Sequence, residues 1–339
     1  MLTSLIKEKE VQERLERSFK FINELKGFSI PEKVEALPLT TNYTQVGTAS
    51  DYLIRLLMIQ GNRENTCFYP IVAEQSRELI QNYGDEELTK SYEEIIGKYH
   101  SFLGDMEKGS VWGVKELSEL SLRLTHIDAI YRYWASRSFS IREREEIRKQ
   151  LGNTASDEEI DGMLAWKIKT EVIPHIKEQL KGINGMDTID IMHVGELFMK
   201  SKLSRVKKYA MLNPSFMDSM RFGGADADLV VDDYLIDIKT TKINEWKKSY
   251  WYQLIGYYFL SEDYGIDTGQ CVAGKYFSHS CYRDYEVKRL GIYFSRHGVL
   301  RTFYSGWIES IPDYDDVKEW FFSCAQKYFN IGNGLPKKN

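Results

Sequence analysis

Asp228-Leu-Val-Val-Asp-Asp-Tyr-Leu-Ile-Asp-Ile-Lys239 reads as two short strands joined by a tight turn, with β-branched and aromatic residues on either side of Asp232-Asp233. A turn on those two aspartates sets Val231 opposite Tyr234 and Asp228 opposite Asp237. Directly opposed residues of an antiparallel pair lie about 4.5–5.5 Å apart at Cα and share a face. Lys239, two positions beyond Asp237, projects from that same face. Two carboxylates and an amine therefore converge. Asp-Asp is not the favoured Asp-Gly of such turns, but Asp tolerates positive φ better than most residues.

Outward from the hairpin, the texture on its C-terminal side stays mixed. Tyr250-Trp-Tyr-Gln-Leu-Ile-Gly-Tyr-Tyr-Phe-Leu260 reads as a helix, and β-branched and aromatic runs follow at 270–277 and 287–305, the second divided by Arg296-His297-Gly298. On the N-terminal side the pattern is helical. Residues 1–28 carry apolar residues at helical spacing, a Pro- and Thr-containing stretch from Pro31 to Thr44 interrupts them, and a helix resumes near 47–58 with Gly47, Thr48 and Ser50 at its start. From about 70 to 182 the helical stripe continues, and Ser156 with Glu159 forms a capping box. The texture turns at Gly182-Ile-Asn-Gly185.

The expected organisation is thus a mainly helical region over 1–185, an α/β core over 186–310, and a C-terminal helix and tail over 311–339. With 339 residues, 42% hydrophobic and 28% charged, the chain has the composition of an ordinary globular protein. No run approaches about 18 apolar residues and the N-terminus alternates charges, so the expectation is a cytoplasmic protein with no membrane partner. Four cysteines at 67, 271, 281 and 324 form no CxxC pair, and six scattered histidines offer no zinc or di-iron spacing. Neither a Gly-x-Ser-x-Gly elbow nor a Walker phosphate loop is present.

The net charge of −5 hides an uneven distribution: residues 186–339 hold 20 basic and 20 acidic residues, so the acidic excess lies in the first part. Such a helical region could dock a partner protein. Lys200, Lys202, Arg205, Lys207 and Lys208 form a basic run that is either a solvated face or a strip for phosphate contacts.

Opposed carboxylates within a strand pair repel, at a cost of up to about 1 kcal/mol. A divalent cation offsets this. Mg²⁺ favours one or two carboxylates, several waters and substrate phosphate oxygens over a full protein cage, and the lysine would then sit beside the metal-bound water or the scissile phosphate.

Asp228, followed at a distance by Asp237-Ile238-Lys239, resembles the signature of the PD-(D/E)XK nuclease superfamily. The resemblance implies a restriction-endonuclease-like α/β core, a mixed sheet flanked by helices, with a large helical N-terminal region or insertion. It implies Asp228 and Asp237 as metal ligands, the Ile238 carbonyl as a further one, Lys239 orienting or activating water, and Mg²⁺ or Mn²⁺ as cofactor. Ala227 stands where the motif name has Pro, and a rival register uses Asp226, which shares a face with Asp228.

Gln253 and Tyr257 lie four apart on one helix face, and this pair looks like the Gln-x-x-x-Tyr helix of RecB-type exonucleases, which positions the active-site lysine and the nucleic acid. Gly47-Thr-Ala-Ser-Asp-Tyr52 looks like their upstream helix, with Asp51 in place of a metal-binding His. Glu196 is the competing upstream acid. The cysteine triplet of the iron–sulfur branch has no counterpart, so no cluster is expected. The activity implied is a metal-dependent nuclease acting on DNA, on single strands or duplex ends, in repair, recombination or defence. The alternatives are a catalytically silent nucleic-acid-binding or scaffolding relative, and a nuclease directed at RNA.

Overall fold

The computed structural model describes residues 2–24, 33–68, 71–138, 141–216, 225–242, 247–267, 270–271, 281–282 and 286–329. Gly223-Gly224 and the tail from Gly334 lie outside them. The chain divides into two compact units, one of residues 1–37, 61–69 and 197–339, the other of residues 38–60 and 70–196.

Among the described residues the first unit holds ten strands: β1 (Thr66–Phe68), β2 (Ala210–Leu212), β3 (Ser215–Phe216), β4 (Leu229–Val231), β5 (Tyr234–Lys239), β6 (Ile266–Asp267), β7 (Gln270–Cys271), β8 (Cys281–Tyr282), β9 (Arg289–Phe294) and β10 (Val299–Tyr304). Seven form one sheet in the order β10-β9-β5-β4-β2-β1-β7, and β3, β6 and β8 form a small second one. The β5–β9 and β1–β2 pairs are parallel and the other pairs antiparallel, so the larger sheet is mixed.

A parallel β5–β9 pair needs a crossover, and the Lys248–Tyr264 helix lies within it. Residues 251–261 of that helix are buried without exception, which is why its sequence is apolar on nearly every side. It packs on the sheet face that presents Val230, Leu235, Leu290, Ile292 and Phe294, alternate residues of three strands. Leu2, Leu5, Val11 and Leu15 from the first two helices and Phe321 from the Tyr314–Tyr328 helix join the same core. On the opposite face Tyr293 meets the edge of Phe198 with ring centroids 5.8 Å apart. The protein is therefore α/β, a mixed sheet flanked by helices in a largely helical chain.

The central hairpin has the register expected from its alternation: Leu229 pairs with Ile236, Val230 with Leu235 and Val231 with Tyr234. Asp232 takes φ 52° at the turn, and its carboxylate accepts N–H groups from Lys208 at 2.8 Å and from Lys207 and Tyr209 at 3.4 Å. One aspartate thus supplies both the left-handed residue and the anchor for the segment leading into β2. Asp232→Ala is expected to lower stability by about 2 kcal/mol, from the lost acceptor and the strained φ, while Asp232→Gly recovers only the strain. Thermal unfolding of the two variants separates the contributions. The second hairpin, β9–β10, turns at Arg296-His297-Gly298 as its sequence suggests; Gly298 has φ 65°, and a Cβ there would stand 2.9 Å from the Leu197 side chain.

The second unit is helical, as the stripe over 70–182 predicts. Its long elements are Tyr43–Gly61, Glu86–Glu107, Val114–Ser138 and Gly185–Lys200, the first and last of which run on into the other unit's residues. Ser156 and Glu159 close the predicted capping box, with hydrogen bonds of 3.3 and 2.7 Å. One boundary differs from expectation. The helix expected to start near Gly47 begins at Tyr43, so Gly47, Thr48 and Ser50 sit inside it, and the Thr48 hydroxyl bonds back to the Thr44 carbonyl at 3.2 Å. Small polar residues bonding back to the preceding turn mimic a helix start in sequence. Among the described residues no helix is long and apolar enough to cross a membrane.

Candidate active site

The hairpin and the helix that covers it build the candidate site, all of it within the first unit. Asp228 immediately precedes β4, and continuation of the ladder sets it against Asp237. Its Oδ2 accepts the Ile238 N–H at 2.6 Å, tying the end of one strand to the other. Asp237 is 2% exposed, on the face covered by the 248–264 helix, whereas Lys239 at the strand's end keeps partial access to water.

The Lys239 ammonium lies 2.6 Å from Asp237 Oδ2. At that distance the ammonium donates to the carboxylate as well as neutralising it, a charge-assisted contact inside the covered face of the sheet. Burial pushes the Asp237 carboxyl up from its usual range; Lys239 opposes the shift and the Asp228 charge adds to it. A carboxylate placed where folding disfavours its charge is characteristic of functional sites.

Gln253 organises the rest. Its Oε1 accepts from Lys239 Nζ at 3.3 Å, and its Nε2 donates to the Tyr257 hydroxyl at 2.8 Å and to Thr3 Oγ1 at 3.5 Å. Tyr250, three residues before Gln253 and so on the same helix face, places its ring centroid 5.0 Å from the ammonium. Tyr257 stacks on Phe216, centroids 5.5 Å apart, and β3 bridges Asp226 through Ser215. Burial raises the Tyr257 phenol well above its ordinary value, and the charges of Asp237, Asp228 and Asp226 push the same way. The phenol thus stays protonated beside three carboxylates.

Asp228, Asp237, Lys239, Gln253 and Tyr257 therefore come together as their spacing suggests, with Asp226 in the same surroundings. Ile238 is buried in β5 with its N–H given to Asp228. Asp51 and Glu196 belong to the second unit. Asp51 pairs with Arg55 one helical turn on, at 3.0 Å, and Glu196 is exposed. Because the helix begins at Tyr43, Asp51 is in its third turn, beyond the reach of the N-terminal dipole.

Two members of the site escape a reading of the hairpin alone. Tyr250 carries a signal, its i,i+3 spacing to Gln253, whereas Thr3 is 250 positions away and carries none. Among the described residues no three His, Cys, Asp or Glu side chains form a metal-binding group. The donor set at the hairpin, two facing carboxylates with a lysine beside them, fits a hard cation that takes most of its ligands from water and phosphate. Comparison with protein families, curated proteins and solved structures finds no match for this chain.

Proposed function

We propose that the protein is a Mg²⁺- or Mn²⁺-dependent nuclease of the PD-(D/E)XK type, with a restriction-endonuclease-like core, hydrolysing DNA phosphodiester bonds in single strands or at duplex ends. The observation that carries this reading is Asp237: a buried carboxylate opposed by Asp228, with an ammonium 2.6 Å from its Oδ2, so that two acids and a lysine share one covered corner of the sheet. An arrangement serving only stability gains little from such a pair, because desolvating a carboxylate offsets much of the attraction to its partner.

Asp228 and Asp237 would hold the cation, with the Ile238 carbonyl adding to its shell. When bound, the cation supplies Lewis-acid charge for the phosphodiester and lowers the pKa of water. The chain's own groups do the rest. Lys239, held by Asp237 and Gln253 and flanked by the Tyr250 ring, presents a fixed ammonium to an attacking water or to the charge growing on the phosphoryl oxygens. Gln253 is a positioning residue: Tyr257 and Thr3 fix its amide, and the amide fixes the lysine.

The test is degradation of end-labelled linear and circular DNA, single- and double-stranded, and of matched RNA, in Mg²⁺, Mn²⁺ or EDTA. Wild type is expected to cleave DNA only with metal, and folded Asp237→Ala and Lys239→Ala variants to lose that activity. Equal activity in the variants would overturn the assignment, and cleavage confined to RNA would replace the substrate.

A further inference from the structure

The Lys200–Lys208 run lies wholly within the residues of the first unit. Lys200, Lys202, Arg205, Lys207 and Lys208 are all exposed, and none forms an ion pair among the described residues. Five cations fall within nine residues, and those adjacent in sequence stand within the Debye length of about 10 Å at 0.1 M salt. A protein of net charge −5 has acids enough to intersperse among them, yet the nearby carboxylate, Asp232, spends its oxygens on the N–H groups of Lys207, Lys208 and Tyr209.

The backbone beneath these cations is fixed. Asn62 accepts the Val206 N–H at 3.0 Å and donates to the Ser204 carbonyl at 2.8 Å, bracketing Arg205. With the Asp232 contacts, successive points from Ser204 to Tyr209 are tied to neighbouring strands and turns. Leu203, the largest apolar side chain within the run, is turned inward at 6% exposure instead of being offered to a lipid surface. What the segment presents is charge on a preorganised strip, and such a strip loses little entropy on meeting a regular array of phosphates.

Its position relates it to the hairpin. The strip runs into β2, whose Ala210 pairs with Val231 beside the turn, while Asp228 and Asp237 stand at the other end of the same ladder. Three residues of strand separate those ends, about 10 Å. That distance is the axial rise of about three base pairs in a B-form duplex.

We propose that Lys200, Lys202, Arg205, Lys207 and Lys208 form a phosphate-contact strip that holds the nucleic-acid backbone beside the hairpin site. The choice of nucleic acid as the partner rests on the nuclease reading; the strip itself does not depend on catalysis, and its test is run without metal.

The experiment is fluorescence anisotropy of labelled 30-nucleotide DNA, and of RNA of the same sequence, titrated with the full chain in EDTA over a range of KCl concentrations. The triple variant Lys202→Gln/Arg205→Gln/Lys207→Gln alters only exposed side chains. It is expected to bind about tenfold or more weakly, with the slope of log affinity against log salt shallower by about 2, about 0.7 for each cation that no longer meets a phosphate of a single strand. An equal weakening with DNA and RNA supports recognition of phosphate whichever sugar carries it. Unchanged affinity and slope in the triple variant would overturn the proposal even if the protein cleaves DNA, and a strip effect without any cleavage would uphold it while the nuclease reading failed. Vesicles of phosphatidylcholine with phosphatidylserine form the last arm: strip-dependent vesicle binding by a protein that ignores both oligonucleotides would overturn the proposal in favour of a membrane surface.

Discussion

Asp237→Asn is expected to make the metal-free protein more stable while removing its metal-dependent cleavage. The wild-type carboxyl is raised above its ordinary value by burial and by Asp228, so the folded state holds a proton more tightly than the unfolded chain. Stability from this group is then fully present below the unfolded carboxylate value and is lost as pH rises through the raised folded value. Asn keeps the shape without the charge and escapes that loss. The gain should be about 1–2 kcal/mol at pH 8.5, from relief of the opposed charges and of the burial of a carboxylate, and close to nothing at pH 4.5. Melting curves at the two pH values, without metal, check the sign. Added Mn²⁺ should raise the wild-type melting temperature by binding linkage and leave the variant where it was. Cleavage should fall by at least about 10²-fold, the scale for removing one electrostatic contributor from an active site. A residue that opposes folding and is needed for activity follows from the trade between stability and function.

Lys239→Met is expected to act in the opposite sense on stability. It removes the ammonium that holds the Asp237 charge in place and leaves a buried carboxylate with Asp228 opposite it. Breaking a buried pair from one side costs about 3–5 kcal/mol, and the partial exposure of Lys239 puts the effect here at the lower end. The loss should be largest at pH 8.5 and small at pH 4.5, where Asp237 is protonated in both proteins. The double variant Asp237→Asn/Lys239→Met should recover most of the lost stability, giving a coupling energy of opposite sign to the single lysine effect. Strictly additive effects in that cycle would show that the two side chains do not interact. Cleavage should be lost in the single and the double variant alike.

The hairpin and its helix are legible in the sequence because each carries its own periodicity. Alternation about Asp232-Asp233 sets the register, and the i,i+4 pair Gln253 and Tyr257 declares one helix face. Both signals are local, and the structure preserves them. The capping box at Ser156 and the turn at Gly298 belong to the same class. What escapes is long-range or very short. Thr3 reaches Gln253 only because the Leu2–Ile6 helix packs into the core of the 248–264 helix. β1 has three residues and lies between helices; its place beside β2 depends on pairing Thr66 with Ala210, 144 positions on, and three residues are too few to show a period. The start of the 43–61 helix is misread from sequence because Gly47, Thr48 and Ser50 have the chemistry of a cap and yet lie inside the helix, where Thr48 bonds back to the preceding turn.

The central claim is that the Asp228 and Asp237 carboxylates, with Lys239 beside them, hold a divalent cation. A titration of the protein with Mn²⁺, followed by the electron paramagnetic resonance signal of the free ion, tests it without reference to any substrate. Wild type is expected to take up Mn²⁺ saturably at pH 8, to release it to excess Mg²⁺, and to lose affinity as pH falls and Asp237 takes a proton; folded Asp237→Asn should show no uptake over the same range. Equal Mn²⁺ uptake by wild type and Asp237→Asn, or none by either, would contradict the account.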